Sequence, residues 1–326
     1  MPLILSQTEM RQLLSLSECI DAIEEGFRFN AQNQDVIPVR LPLELPDLQA
    51  VTLFMPAYLP HSGTLGAKIV SVFPRNTVRG LPVVTGFYVL CDPDTGALLA
   101  LMDATHLTAI RTAATSAVAT RYLGKDNASR LAVFGAGVQA RFHVEAMRAV
   151  RPITEIRVYN RTPERGQTFA EEIRRSSDLP VYVAESPDAC IDGADLIVTC
   201  TRSRTPLFDG NRVPYGAHIN AVGVYTPDAQ ELDQRTVQRA AVFVDTFQGA
   251  LAEAGDLLVP LTKGLIARDH LRGELADLVT GQVKGRTSND EITVFKSVGY
   301  ALEDAVTAHL AYLKAVRLGV GVSVDL

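Results

Sequence analysis

The first third of the chain combines one helical hydrophobic pattern with several strand-like runs. Apolar residues recur at helical spacing over 6–30, which predicts a helix that Ser6 or Thr8 can cap. Three apolar runs predict strands: 65–73, 83–91 and 97–102. The turn residues of 92–96 predict a hairpin between the last two runs. This part of the sequence therefore indicates an α+β region.

Beyond residue 104 the pattern changes to alternating helices and strands. A helix rich in Ala and Thr is predicted over 105–123. Short apolar runs then predict buried strands: 131–134, 156–159, 181–184, 195–201, 218–222 and 242–245. Because helical segments such as 163–175 separate these runs, we predict a doubly wound α/β fold with a parallel Rossmann sheet of about six strands. A further helix is predicted near 298–317.

The run RLAVFGAGVQARFH carries the most specific local motif, a strand followed by a glycine turn and a helix. A second strand follows, which completes the order of a dinucleotide-binding βαβ unit. Gly135 allows the tight turn, Gly137 lets the backbone approach a pyrophosphate, and Ala140 lets the helix pack on the sheet. The helix begins at Val138 and Gln139, whose N–H groups we expect to face the phosphates.

The end of the second strand indicates which dinucleotide binds. An NAD site usually carries a carboxylate here, which accepts hydrogen bonds from the ribose. This chain carries Asn160, Arg161 and Thr162 instead, with Arg165 four residues after Arg161. A guanidinium can pair with a 2′-phosphate and a hydroxyl can donate to it. The sequence therefore predicts NADP(H) as the cofactor.

Composition excludes several other classes of protein. At 326 residues, with 47% hydrophobic and 21% charged residues, the chain is long enough for two soluble domains with their own cores. A formal net charge of −6 and the lack of a basic block argue against a nucleic-acid partner. No apolar run suits a membrane span, and the four cysteines lack metal-ligand spacing. We expect a cytoplasmic protein with free thiols and no metal.

Four charged residues stand in apolar or small-residue surroundings: Arg40, Lys68, Arg111 and Asp228. Lys68 lies inside a predicted strand, and Arg111 lies on a predicted helix that is otherwise nearly uncharged. Asp228 follows a strand of the predicted sheet at its carboxyl edge, where open α/β folds bind ligands. Buried cations need counter-charges, so three cations and one acid suggest that an anionic ligand completes a site. Taken singly, each residue is equally consistent with a structural charge whose stem is buried.

The chain resembles the ornithine cyclodeaminase/mu-crystallin family along nearly its whole length. The matching stretches are LGAKIVSVFPRN, DPDTGALLALMDATHLTAIRTAATSA, VFGAGVQARFH, INAVGVYTPDAQELD, EAGDLL and ITVFKSVGYALEDA. The resemblance implies a homodimer built through a substrate-binding domain, residues 1–115, to which 303–326 returns. It implies that residues 116–302 form the NADP-binding Rossmann domain.

The resemblance also assigns roles to single residues. Arg40, Lys68 and Arg111 would surround the carboxylate of an amino or imino acid, and Lys68 would donate a proton. Thr112 would lie near the cofactor phosphates. Asp228 is a candidate for amine recognition or proton relay, although a loop Asp after Pro is also typical of a helix cap.

Two departures from the family pattern favour one of its activities. Ornithine cyclodeaminases carry an Asp two residues after the glycine that corresponds to Gly223, where this chain has Tyr225. They also carry the ribose-binding Asp, where this chain has Asn160. Both differences favour NADPH-dependent reduction of a small cyclic 2-imino acid. An ornithine cyclodeaminase, an alanine-type L-amino acid dehydrogenase and a non-catalytic mu-crystallin-like binding protein are the alternatives.

Overall fold

The computed structural model describes residues 1–32 and 34–325 of the chain. The chain divides into two compact units, which are described separately. Unit 1 contains 1–112 and 300–326, and unit 2 contains 113–299. The predicted domain boundaries lie three residues further along the chain in each case, and the functions assigned to those domains stay predictions.

Among the described residues, nine α-helices and β-strands precede residue 124: β1 (Leu3–Leu5), α1 (Gln7–Leu13), α2 (Leu16–Asn30), β2 (Leu41–Leu45), β3 (Ala50–Leu59), β4 (Thr64–Val72), β5 (Val84–Cys91), β6 (Leu98–Asp103) and α3 (Ala104–Leu123). The elements that follow are β7 (Arg130–Phe134), α4 (Val138–Val150), β8 (Glu155–Tyr159), α5 (Pro163–Ser177), β9 (Val181–Val183), α6 (Pro187–Ile191), β10 (Leu196–Thr199), β11 (His218–Ala221), α7 (Gln234–Arg239), β12 (Ala240–Val244), α8 (Phe247–Glu253), α9 (Gly255–Thr262), β13 (Leu271–Glu274), α10 (Leu275–Thr280), β14 (Ile292–Lys296), α11 (Ala301–Leu318) and β15 (Val322–Ser323).

Unit 1 is built on a seven-stranded mixed sheet in the order β15-β1-β6-β5-β4-β3-β2. β1 and β6 are parallel, and the other neighbours are antiparallel. α11 packs on β3, β4 and β5 and also against α2. Alternate residues of β3 and β4 are buried, including Met55, Lys68 and Val70, as expected for strands with one face covered. The three strands predicted here exist, and their ends lie within one residue of the predicted bounds.

The helix predicted over 6–30 is two helices rather than one. α1 ends before Leu14, and Ser15 then caps α2 by accepting a hydrogen bond from the Glu18 N–H. The apolar periodicity continues through the break, so hydrophobic spacing alone did not reveal it. Ser6 caps α1 in a capping box with Glu9, which confirms the choice of Ser6 as one of the two cap candidates.

Unit 2 contains an eight-stranded sheet in the order β13-β12-β14-β11-β10-β7-β8-β9. All of its neighbouring strands are parallel, and α-helices connect each strand to the next along the chain except β10 and β11, so the doubly wound prediction is confirmed. The predicted count of about six strands is too low, because β13 and β14 were missed. β13 is a short edge strand with an exposed Arg272, and β14 ends in a lysine, so neither reads as a purely apolar run.

Among the described residues the four cysteines are free, and Cys19 and Cys190 are buried. Within 1–32 and 34–325 no helix has both the length and the apolar content needed to cross a membrane.

Candidate functional site

Four buried charged residues of unit 1 meet where α11 packs on the sheet, and we call them the unit 1 cluster. Lys68 lies on the covered face of β4, and Arg111 lies on α3. Glu303 and Asp304 lie in the first turn of α11, where the helix dipole favours carboxylates. None of these four residues is more than 5% exposed.

Asp304 connects the two cations of the cluster. Lys68 Nζ donates to Asp304 Oδ1 at 2.7 Å, and Arg111 Nε donates to the same oxygen at 2.8 Å. Arg111 Nη1 donates to Glu303 Oε2 at 2.6 Å. Two N–H groups of the guanidinium are therefore oriented by two adjacent carboxylates, which fixes the plane of Arg111.

The surroundings of Lys68 make its ammonium more acidic than that of a surface lysine. Burial and the positive charge of Arg111 lower the pKa of Lys68 to about 8, against the opposing effect of Asp304. Burial alone would lower the pKa of Arg111, but Asp304 and Glu303 outweigh it and raise that pKa. Arg111 is thus a permanent cation, whereas Lys68 can exchange a proton near neutral pH.

Tyr88 completes the surroundings of Lys68. The two residues are cross-strand partners on β4 and β5, and Tyr88 is fully buried. A Cβ on Gly66 would lie 2.6 Å from the Tyr88 hydroxyl, so only glycine leaves room for this ring. Burial and the charge of Asp304 raise the pKa of Tyr88, which keeps the phenol neutral.

The counter-charges predicted for buried cations are present, but their source differs from the prediction. Glu303 and Asp304 balance Lys68 and Arg111, so charge neutrality in this cluster does not require an anionic ligand. Both acids lie within the quoted stretch ITVFKSVGYALEDA, but sequence reasoning gave them no role. Two adjacent acids flanked by apolar residues at the start of α11 were the available signal, and Tyr88 had no comparable signal.

The other predicted residues outside unit 2 are less enclosed. Arg40 directly precedes β2 and is half-buried. Thr112 lies on α3, one residue after Arg111, and its hydroxyl donates to the Thr108 carbonyl at 2.7 Å. Their proposed contacts with substrate carboxylate and cofactor phosphate stay predictions.

In unit 2 the glycine turn lines a cavity of about 290 Å³ at the carboxyl ends of β7, β8 and β10. Gly135 has a φ of +107°, and a Cβ there would lie 3.0 Å from the Cys200 carbonyl oxygen. Gly137 is the N-cap of α4, and a Cβ there would meet only open space. Because this cap has no side chain, the first N–H groups of α4, at Val138 and Gln139, suit an anion that approaches closely.

Arginine side chains dominate the rim of this cavity. Among the described residues that line it none is acidic, and three are arginines: Arg161, Arg165 and Arg202. All three are exposed, in contrast to the paired Arg111. Asn160 and Thr162 also line it, and the Asn160 amide donates to the Thr162 carbonyl at 2.8 Å. These residues fit a phosphorylated dinucleotide, and Arg202 is a cation that sequence reasoning missed.

Asp228 lies on the surface of unit 2 in the loop after β11. Its carboxylate is paired with Arg204, and both side chains are more than half exposed. Hydrogen bonding from Thr226 and the charge of Arg204 lower the pKa of Asp228, so it stays ionised. Its proposed catalytic role stays a prediction.

A second buried lysine, Lys296, contacts the backbone of the same loop. Lys296 Nζ donates to the Val224 carbonyl at 2.6 Å and lies 2.8 Å from Asp256 Oδ2. Asp256 accepts the N–H groups of Glu231 and Leu232. The Glu231 carboxylate in turn accepts the Gly223 N–H at 2.8 Å. This network fixes the backbone at the end of β11.

Comparison with known proteins gives matches over the whole chain. The sequence model described as the ornithine cyclodeaminase/mu-crystallin family matches residues 1–318. A Delta(1)-pyrroline-2-carboxylate reductase from Bacillus cereus is 38% identical over 324 residues, 99% of this chain and 99% of that protein.

Two solved structures extend the comparison to the fold. Thermococcus litoralis Delta(1)-pyrroline-2-carboxylate reductase in complex with NADH and L-proline has a TM-score of 0.97 and 41% identity, covering 99% of this chain and 100% of its own. An archaeal alanine dehydrogenase dimer with bound NAD has a TM-score of 0.94 and 34% identity, covering 99% of each chain. The whole chain is therefore similar to oxidoreductases that use a nicotinamide cofactor.

Proposed function

The chain belongs to the ornithine cyclodeaminase/mu-crystallin family, and from that premise we propose that it reduces a small cyclic 2-imino acid to the L-amino acid with NADPH. It is an oxidoreductase of C=N or CH–NH bonds that uses a nicotinamide cofactor. Pyrroline-2-carboxylate and piperideine-2-carboxylate are the substrates we expect. Both the imino acid and the choice of NADPH belong to the proposal.

The observation that carries this proposal is the buried, charge-surrounded Lys68 with its lowered pKa. An imine accepts hydride far better once its nitrogen is protonated, so the reaction needs a proton donor near neutral pH. Lys68 has a pKa of about 8 and is enclosed by other charged groups. The proton leaves Lys68 Nζ for the imine nitrogen, and Lys68 regains a proton from water after turnover. When bound, the reduced nicotinamide supplies the hydride.

Carboxylate binding falls to the guanidinium groups in this proposal. Arg111 is held by Glu303 and Asp304 before any substrate arrives, so little side-chain entropy is lost on binding. Arg40, outside the cluster, would supply the second guanidinium. A carboxylate held in this way places the adjacent imine carbon and nitrogen in a fixed orientation.

The preference for NADPH rests on the cavity in unit 2. Arg161, Arg165 and Arg202 surround a rim on which the described lining residues include no carboxylate. A 2′-phosphate would pair with these groups, whereas the ribose of NADH would find no acidic acceptor there. The T. litoralis relative was solved with NADH, so cofactor preference needs its own measurement in this chain.

We also propose a homodimer formed through unit 1 of a cytoplasmic protein. The uncovered face of the unit 1 sheet carries an apolar row across four strands: Leu41, Phe54, Ile69 and Phe87, joined by register. Leu41 and Phe87 are exposed on this face. A contiguous apolar sheet face is typical of a surface that a second subunit covers. Light scattering of the purified chain would measure the assembly.

The test of the proposed function is a pair of assays run side by side. NADPH oxidation with pyrroline-2-carboxylate should be fast, with proline as the product. L-Ornithine with substoichiometric NAD should release negligible ammonia, because Tyr225 replaces the carboxylate of the cyclodeaminases and Asp228 is paired with Arg204. Ammonia release that outpaces imine reduction would overturn the assignment.

Amino acid dehydrogenation is the second candidate, because an alanine dehydrogenase aligns over 99% of the chain. A third arm of the assay therefore supplies pyruvate, ammonia and the reduced cofactor. Faster turnover in this arm than with the cyclic imine would favour the dehydrogenase. Turnover in none of the arms would favour a binding protein.

A further inference from the structure

We propose that Asp304 is a positioning residue, which holds the Lys68 ammonium and the Arg111 guanidinium in one fixed geometry and keeps the buried Lys68 charged. The inference rests on the proposed function, in which Lys68 donates the proton. It adds the residue that sets the pH range over which Lys68 is protonated and can donate.

The geometry identifies Asp304 rather than its neighbour Glu303. A single oxygen, Asp304 Oδ1, accepts from both Lys68 Nζ and Arg111 Nε. Glu303 accepts from Arg111 Nη1 through Oε2 and acts on Lys68 through its charge. Asp304 therefore joins the proton donor to the carboxylate-binding arginine, whereas the bond of Glu303 orients the arginine.

Burial makes this carboxylate decisive for the charge of Lys68. The residue is 1% exposed, so water contributes little to the stability of its ammonium. The groups that face it are Arg111 from α3, Tyr88 from β5, Met55 from β3, and the two acids from α11. Arg111 repels the ammonium, and Tyr88 and Met55 carry no charge. The two acids favour the charged form, and Asp304 is the one that accepts its hydrogen bond.

Removal of the Asp304 charge should make the Lys68 ammonium more acidic. Asp304 raises the pKa of Lys68 against burial and Arg111, so Asp304→Asn should lower that pKa from about 8. An opposite charge in contact is worth about one to three pH units. A proton donor works only while protonated, so activity falls as pH rises through its pKa. The falling limb of the kcat profile should therefore move to lower pH by that amount.

The experiment compares pH profiles of Asp304→Asn, Glu303→Gln and the unchanged enzyme with pyrroline-2-carboxylate and NADPH. Titration of the substrate is the same in all three and cancels. Asp304→Asn should lose about threefold in kcat at pH 7.5 for the smallest of these shifts and more than about a hundredfold for the largest, and it should regain activity as the pH is lowered. Glu303→Gln should mainly raise KM and should move the limb less. Identical limbs in Asp304→Asn and the unchanged enzyme would overturn the proposal, as would an equal loss at every pH.

A readout without turnover checks the same shift. Folded Lys68 releases its proton near pH 8, whereas the ordinary value is 10.5, so the unfolded chain binds more protons between these values. Stability should therefore rise with pH in this window. In Asp304→Asn the rise should begin at lower pH, and Lys68→Met should lack it. A rise that begins at the same pH in Asp304→Asn and the unchanged chain contradicts the proposal.

Two further variants keep the outcomes distinct. If Asp304→Asn does not fold, Asp304→Glu retains the charge but moves it by one methylene, and it should restore folding with a smaller displacement of the limb. An undisplaced limb with unchanged kcat in Asp304→Glu would count against a positioning role. Lys68→Met separates the possible failures: full turnover in Lys68→Met removes Lys68 as the proton donor, whereas its loss beside an unaltered Asp304→Asn profile refutes only the role of Asp304. The proposed function itself fails if the unchanged enzyme does not oxidise NADPH with pyrroline-2-carboxylate.

Discussion

Lys68 and Lys296 each form a buried ion pair with an aspartate, and the surroundings of the two pairs differ. Each is at most 1% exposed, and each lies within 2.8 Å of an aspartate oxygen. Lys296 also donates to the Val224 carbonyl, and its partner Asp256 accepts two backbone N–H groups. The partner of Lys68 is instead shared with the guanidinium of Arg111. The pair of Lys296 is thus anchored to the backbone on both sides, whereas the pair of Lys68 is connected to a second cationic side chain.

The difference shows that a buried lysine–aspartate pair does not by itself indicate catalysis. Around Lys296 two carboxylates, Glu231 and Asp256, face one cation, and burial with Asp256 raises the pKa of Glu231. Around Lys68 two cations face two carboxylates, and burial together with the repulsion from Arg111 lowers the pKa of Lys68, so that its proton is easier to release. The network around Lys296 fixes the fold, whereas the cluster around Lys68 is suited to proton transfer.

The largest effect should follow the removal of the Lys68 ammonium. Lys68→Met retains the apolar stem and should lower kcat by about 10²- to 10⁴-fold, the usual contribution of general acid catalysis. NADPH binding, measured by fluorescence titration, should be unchanged because the cofactor cavity lies in unit 2. A variant with ordinary turnover across pH would remove Lys68 from the mechanism.

The matched change in unit 2 should affect stability instead. Lys296→Met leaves Asp256 and Glu231 buried without their cation, and breaking such a pair costs about 3–5 kcal/mol. Urea unfolding should show this loss in the free energy of unfolding. The folded fraction should keep the pH profile of the unchanged enzyme. A shifted profile with full stability would reverse the roles assigned to the two lysines.

The sequence predicted the nucleotide-binding half of the molecule well, because its signals are local. The glycine turn, the helix at Val138 and the strand before Asn160 lie within about 30 residues, the span of a βαβ unit. The short edge strand at 271–274 was missed because it contains two charged residues among four. Its strand conformation depends on hydrogen bonds to β12, which the local sequence does not reveal.

The unit 1 cluster was only half predicted, because its contacts are distant in sequence. Lys68 and Arg111 were recognised as cations in apolar surroundings, but their partners lie 236 and 193 residues away along the chain at Asp304. A single sequence gives no measure of which distant acid meets which cation. The break before Ser15 was missed for a different reason, since apolar spacing continues across it.

The arginines at the cavity rim of unit 2 are exposed to solvent, whereas Arg111 is buried and paired with two carboxylates. Replacing Asn160-Arg161 with Asp-Ala should weaken or reverse the preference for NADPH, and Arg161→Ala should cost about 1.5–3 kcal/mol of NADPH binding, ten- to a hundredfold in affinity. Arg202→Ala should cost part of that amount. Arg175→Ala, an exposed arginine near the end of α5, is the control and should have no effect. Equal use of NADH and NADPH by the unchanged enzyme would contradict this interpretation.

The smallest stability effect should come from the ion pair of Asp228 and Arg204. Both side chains are more than half exposed, so solvent screens the pair and its loss should cost at most about 1 kcal/mol, measured by urea unfolding. Asp228→Asn and Arg204→Ala should therefore be equally stable. The two variants should differ in catalysis. If the Asp228 carboxylate binds the substrate nitrogen, Asp228→Asn loses a charged hydrogen bond and should lower kcat/KM about tenfold. Arg204→Ala retains that carboxylate and should stay within about twofold of the unchanged enzyme. Equal kcat/KM in the two variants would confine Asp228 to the surface pair and leave Lys68 as the proton donor without its assistance.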